Sequence, residues 1–228
     1  MIKRFAIISL FAASAVGSLV LTPHEIVVEI PAVVCEPERE SELTVISDYD
    51  SIMQTVEGES GVDWRLLSAI AYTESRFRND LTSPGGAVGL MQIQPSTARH
   101  FGISAESLRL PHNNIRVAAF LLREIERLIK LPSGLSDEDR LGILPACYNC
   151  GIGHVSDARR LARASGEDMN SWPRVSHYLK LKSDPEYYEM DVVRAGRFNS
   201  GIHTANYVTK VLKRYEHYCR LTDTTARR

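Results

Sequence analysis

Between residues 114 and 130 the apolar side chains of Ile115, Ala118, Ala119, Leu122, Ile125 and Ile129 recur every three or four positions. That spacing places them on one face of an α-helix, with polar residues opposite. Such a stripe has to be buried against other elements, and the segments around it also read as helices. One is expected from Asp63, a good N-cap residue, to about Phe77, with Trp64, Leu67, Ile70 and Ala71 on its inner face. Others are expected over residues 138–149, over 155–164 closed by Gly166, and over 204–219 with Val208, Val211, Leu212 and Tyr215 facing in. This part of the chain has no alternating strand pattern and no internal repeat. The fold class is therefore mainly α, a compact multi-helix domain.

The chain of 228 residues is 44% hydrophobic and 24% charged, ordinary values for one globular domain with an appendage. A net charge of -1 and the lack of Lys/Arg blocks give no footprint for nucleic acid. Lys3 and Arg4 precede an uncharged apolar run over residues 5–21, the layout of an export signal. Ala15-x-Gly17 is a mediocre cleavage site, and the run is near the lower length limit for spanning a bilayer, so a retained anchor is the alternative. Cys35 lies too far along to make this a lipoprotein signal. Residues 22–48, with Pro23, Pro31 and the run EPERESE, read as a linker, and residues 223–228 as a tail.

Export would permit disulfides, but the four cysteines are not spaced like a disulfide framework. Cys147, Cys150 and His154 fall at i, i+3 and i+7, close to one helical face. They suggest either a redox dithiol or three metal ligands. A structural zinc needs a fourth ligand, for which only His203, Cys219 and Cys35 are eligible.

A different residue draws attention on the first helix. Leu67, Ile70 and Ala71 define its buried face, and the next position on that face is Glu74. A carboxylate that continues an apolar stripe is costly to bury, so its pKa should rise, as a general acid near neutral pH requires. The alternative is a core ion pair with Arg76 or Arg116. Gly85, Gly86 and Gly89 follow within a short span, where the backbone can turn tightly and offer N–H donors. Gln92 adds an amide able to bond an acetamido group or a sugar hydroxyl. No Lys-Ser/Thr follows the glycines, so this is not a phosphate loop.

Four ordered motifs carry a resemblance: Glu74-Ser75; Ser83-x-x-Gly86-Ala87-x-Gly89-Leu90-Met91-Gln92 with Thr97-Ala98; Asn114-Ile115; and Cys147-Tyr148-Asn149-Cys150-Gly151-Ile152-Gly153. Together they resemble the lytic transglycosylases of the soluble-transglycosylase, goose-lysozyme-like type. The continuation through Trp172 to Tyr207-Val208 is similar to the membrane-bound lytic transglycosylase F branch. The likeness covers about residues 50–220. Both cysteines stand in slots where that family has alanine or another small residue, which makes them a wall rather than a metal site. Gln94 replaces a usual apolar residue, Pro145 interrupts the helix before Tyr148 and should kink it, and His203-Thr204 replaces a usual Glu-Thr. The branch's N-terminal solute-binding-like domain is not expected here.

The resemblance implies a lysozyme-like catalytic domain over residues 49–222 that cuts peptidoglycan between N-acetylmuramic acid and N-acetylglucosamine and leaves 1,6-anhydro ends. Glu74 would be the sole catalytic carboxylate, first acid and then base. Ser83, Gly89, Met91, Gln92, Tyr148, Asn149 and Tyr207 would contact substrate. No metal or cofactor is implied. The partners would be glycan strands and, through residues 1–21, a membrane; the location would be periplasmic or membrane-anchored facing the wall, and the protein a monomer by default. A goose-type hydrolase using water, or a non-catalytic glycan-binding protein, are the alternatives.

Overall fold

A computed structural model describes residues 45–226, which form nine α-helices and one short 3-10 turn. The expected export segment, Cys35 and most of the expected linker lie outside the described residues. The mainly α expectation holds: among the described residues the only β pairing is a pair of isolated bridges, Thr82 with Val88 and Val88 with Ile93. No described helix is long and apolar enough to cross a membrane.

Helix α1 (Asp50–Ser60) and helix α2 (Trp64–Ser75) are joined by a turn through Gly61. Asp63 caps α2 as expected, its side chain accepting from the Arg65 N–H at 2.8 Å. Sequence periodicity assigned α2 one buried face, but Leu66, Leu67, Ser68, Ala69, Ile70 and Ala71 are all buried in succession. The reason is position: α2 packs against α1, α4 (Pro111–Ile129) and α9 (Gly201–Ala226), so nearly its whole circumference is covered. The helix ends on two non-glycine residues in the left-handed region, Arg76 at φ 58° and Phe77 at φ 61°.

Helix α4 begins at Pro111, three residues before the expected start, because proline fits the first helical position. Its stripe is buried as read from sequence. The carbonyl of Ile129 at its far end accepts from the buried Arg159 guanidinium at 2.6 Å, which also bonds Met169 O and Asn170 Oδ1. Helix α5 (Asp137–Cys150) opens on Ser136 as N-cap with three acids in its first turn. It continues through the buried Pro145 to Cys150. Gly142 faces Trp172, and a Cβ there would lie 2.1 Å from that ring. Only glycine lets α5 approach α7 (Trp172–Leu181) so closely.

Helices α3 (Pro95–His100) and α8 (Pro185–Tyr188), like α1 and α7, had no individual expectation in sequence. Helix α6 (Ile152–Ala164) starts three residues earlier than expected, and α9 extends beyond the expected range at both ends. Ile46 and Tyr49 already pack on the core, and the Ile46 and Ser47 N–H groups donate to the Asp50 carboxylate. The packed domain therefore takes in the last residues assigned to the linker.

Candidate active site

Glu74 occupies the last turn of α2, half-buried where the apolar stripe ends. Burial pushes its carboxyl up to about 7, and the nearby Tyr207 phenol pulls it slightly back. The core ion pair does not form. Arg116 instead pairs with Glu59 at 2.8 Å, and the Arg76 guanidinium lies 4.3 Å from the centre of the Tyr72 ring. No other carboxylate contributes to the Glu74 shift. Asp63, the nearest acid before it in sequence, has its own partners: burial works against its charge, but hydrogen bonds from Arg65 and Tyr215 hold it below the usual range.

Two tyrosines face the acid. Burial, reinforced by the Glu74 charge, holds both the Tyr148 and Tyr207 phenols well above their ordinary pKa, so both are neutral. Tyr148 Oη donates to the Met91 carbonyl at 2.7 Å and ties the end of α5 to the loop beyond α2. Tyr207 Oη is buried without a hydrogen bond of normal geometry to any described group. Glu74 is close enough to interact with it electrostatically, not aligned for a full bond.

The loop over residues 81–94 is closed on itself. Ser83 Oγ accepts from Ala87 N–H at 3.0 Å, Gly86 N–H donates to Ser83 O, and Gly89 N–H donates to Leu81 O. The N–H groups of Gly86 and Gly89 are thus occupied, which corrects the expectation that they wait for a ligand. Gly89 sits at φ 79°, and a Cβ there would lie 2.6 Å from Asn114 Nδ2. Asn114 is fully buried; it donates to Val88 O and Leu108 O and accepts from Met91 N–H at 2.8 Å. It therefore pins the loop to α4.

Two of the expected substrate contacts, Gly89 and Met91, are buried. Gly89 is buried and acts by admitting Asn114. Met91 has zero exposure, so its side chain does not line a cleft; its backbone links Asn114 to Tyr148. Gln92, at φ 48°, donates through Nε2 to Gly89 O and Leu81 O, which leaves its carbonyl oxygen as the group that can face a ligand. Ser83 is half-buried. Asn149 Oδ1 accepts from Thr204 Oγ1 at 2.9 Å, and its Nδ2 makes no bond among the described residues.

Cys147, Cys150 and Cys219 are free thiols, and no described group of His, Cys, Asp and Glu residues gathers as a metal would require. His154 turns away to the Lys182 ammonium at 3.1 Å and stacks on Phe198 at 4.3 Å. Burial raises the Cys147 thiol, and lifts Cys150 to about 11 against opposing contributions from Thr204 and Lys182. Neither thiol is poised to ionise.

Sequence reading missed a buried charge cluster behind this wall. Asp157 and Lys182, both with fully buried side chains, meet at 2.5 Å. Asp157 also accepts from Arg160 and from the N–H groups of Arg194 and Ala195. The available signal was that Asp157 lies one turn before Leu161 on the buried stripe of α6, much as Glu74 lies one turn after Ile70 on α2.

The transglycosylase SLT domain family matches residues 51–170, more than half of the chain. A membrane-bound lytic murein transglycosylase F of Marinobacter nauticus is 35% identical over 179 residues, covering 78% of this chain and 34% of the relative. Its namesake from Alcanivorax borkumensis is 35% identical over 168 residues, covering 74% and 34%. The chain thus spans about a third of the length of the curated relatives it matches. Among solved structures, an inactive mutant of lytic transglycosylase Slt from Pseudomonas aeruginosa superposes with a TM-score of 0.51 at 23% identity, over 76% of this chain and 24% of that one. This likeness concerns the fold.

Proposed function

The chain belongs to the transglycosylase SLT domain family, and from that premise we propose that it is a peptidoglycan lytic transglycosylase. It cleaves the β-1,4 bond between N-acetylmuramic acid and N-acetylglucosamine without consuming water. The observation that carries this reading is Glu74: one carboxyl group, lifted to about 7 by burial, facing two neutral tyrosines and no second acid.

Near neutral pH such a group is populated in both protonation states, as the reaction requires. Protonated Glu74 gives its proton to the glycosidic oxygen while the bond to the muramoyl C1 breaks through an oxocarbenium-like transition state. The muramoyl C6 hydroxyl then closes on C1, and the Glu74 carboxylate takes its proton, so the enzyme returns to its starting form. The nucleophile is tethered to the same sugar, and proximity replaces a bound water. The reaction needs no cofactor. A goose-type hydrolase would need a second carboxylate to position water; Asp63, bonded to Arg65 and Tyr215, is poorly suited to that task.

Ser83 Oγ, Gln92 Oε1 and Asn149 Nδ2 are the polar groups offered to sugar, with Tyr148 and Tyr207 lining the acid; Gly89 and Met91 shape the loop that presents them. Residues 49–222, with the packed residues just before them, form the catalytic domain. The apolar segment over residues 5–21, acting as signal or anchor, would place it in the envelope facing the wall, a reading supported by relatives named as membrane-bound.

The test is the product. Purified peptidoglycan is digested with wild type and with Glu74→Gln, and the fragments are weighed by mass spectrometry. Anhydro-muramic ends from wild type and none from the variant are expected. Reducing ends would favour the hydrolase, and equal activity in Glu74→Gln would remove the acid from its role.

A further inference from the structure

Between α2 and α9, reaching Thr73, the residue before Glu74, lies an open pocket of about 490 Å³ whose lining carries five basic side chains and no acidic one. Arg76 comes from the end of α2; Lys210, Lys213, Arg214 and His217 come from α9. In a chain of net charge -1 this is a local concentration of positive charge. Arg65, Arg116, Arg123 and Arg140, elsewhere in the domain, have carboxylate partners. Among the described residues Arg76, Lys210, Lys213 and Arg214 form no ion pair.

The arrangement is held in place. The Arg76 and Arg214 guanidinium groups lie 4.3 and 3.9 Å from the centre of the same Tyr72 ring. Two cations gathered at one aromatic ring repel each other, and a bound anion nearby would relieve that repulsion. Arg76 is also held in the left-handed region at φ 58°, a conformation unfavourable for a residue with a Cβ.

On the reading of Glu74 as the acid that cuts murein, we infer that this pocket binds the carboxylates of the peptide carried by the glycan strand. The sugar backbone is neutral apart from its peptide-bearing lactyl groups, so peptide carboxylates are the negative charge the substrate brings. The spacing along α9 is within reach of such a peptide. Lys210 to His217 lie about 4–15 Å along α9 from Tyr207, at about 1.5 Å rise per residue. An extended peptide of four or five residues reaches about 13–18 Å. A peptide hanging from a muramoyl group at Glu74 would lay its carboxylates across these side chains, and the pocket would select peptide-bearing over bare strands.

The test compares kcat/KM on intact peptidoglycan with kcat/KM on strands stripped of peptide by an amidase. Wild type should prefer the intact substrate, and Lys210→Glu/Lys213→Glu should reduce that ratio about tenfold. Lys210→Arg/Lys213→Arg should keep it, as should Lys180→Glu, a charge reversal on α7 outside the pocket. Both lysines are exposed, so the variants should fold, and an unchanged melting temperature checks this. An unchanged ratio in the double Glu variant, or no wild-type preference, overturns the inference. So does loss of binding to phosphatidylglycerol vesicles with the ratio intact, which would make the patch a membrane contact. If wild type cuts neither substrate, the failure lies with the proposed activity instead.

Discussion

Lys182→Met tests whether the buried cluster behind the cleft wall has the energetics its geometry implies. The substitution keeps most of the aliphatic stem and deletes the ammonium, which lies 2.5 Å from Asp157 with both side chains at zero exposure. Removing one partner of a buried pair leaves an uncompensated charge and costs about 3–5 kcal/mol. For a domain of this size each kcal/mol shifts the melting temperature by about 2–4 °C, so the loss is about 6–20 °C at neutral pH. Arg160 and the N–H groups of Arg194 and Ala195 remain to hold part of the Asp157 charge, which favours the lower half of that range.

Acid supplies a second signature. Burial favours neutral Asp157 and neutral Lys182 alike, but the donors converging on Asp157 overcome it and hold that carboxylate below its usual range. Lys182 is the strongest of those donors, and the backbone amides of Arg194 and Ala195, which do not give up their protons, add to it, so the ionised carboxylate is the secure side of the pair. A carboxyl with a lowered folded pKa stabilises fully above its unfolded value and loses that contribution as pH falls through the folded one. The gap between wild type and Lys182→Met should therefore be full at pH 7 and narrow in strong acid. Circular dichroism melts across this range, with hydrogen exchange at the Arg194 and Ala195 amides, make the measurement. A shift under about 3 °C at pH 7, equivalent to about 1 kcal/mol, would refute a buried, paired charge.

Glu74 should show the opposite sign. Its folded pKa is raised from 4.5 to about 7, so ionising it destabilises the fold progressively between those values and fully above pH 7. Glu74→Gln should therefore melt higher than wild type at pH 8 and lose that advantage below pH 4.5; no difference at pH 8 would mean the carboxyl is well solvated. Gly89→Ala combines a positive φ with a Cβ 2.6 Å from Asn114 and should cost about 2–4 kcal/mol. A urea midpoint equal to wild type would show that the loop yields freely. Cys147→Ala/Cys150→Ala should retain activity on peptidoglycan and bind no less metal than wild type, read by activity assay and elemental analysis; loss of both would restore a metal site to this wall.

How legible the molecule was depended on how far apart the deciding groups lie. The α4 stripe and the Asp63 cap are local patterns, and the helices they imply are present. Helices α3 and α8 are too short for periodicity to register. Full burial of α2 depends on α1, α4 and α9 closing around it, which no single segment encodes. The loop glycines suggested free N–H donors because sequence cannot tell that Leu81 and Ser83 return to accept them. Met91 looked like a cleft residue because the groups that hold its backbone, Asn114 and Tyr148, lie 23 and 57 positions away.

Glu74 and Asp157 sharpen the point, because both are carboxylates on the apolar stripe of a helix, and that pattern flags each equally. Their chemistry diverges through partners alone. Asp157 meets an ammonium, a guanidinium and two amides, stays ionised and braces the segment around residues 194–195. Glu74 meets a single misaligned phenol, so burial prevails and its carboxyl stays near neutrality. A buried carboxylate read from sequence is thus a question about donors. The acid suited to proton transfer is the one whose surroundings leave it undersupplied.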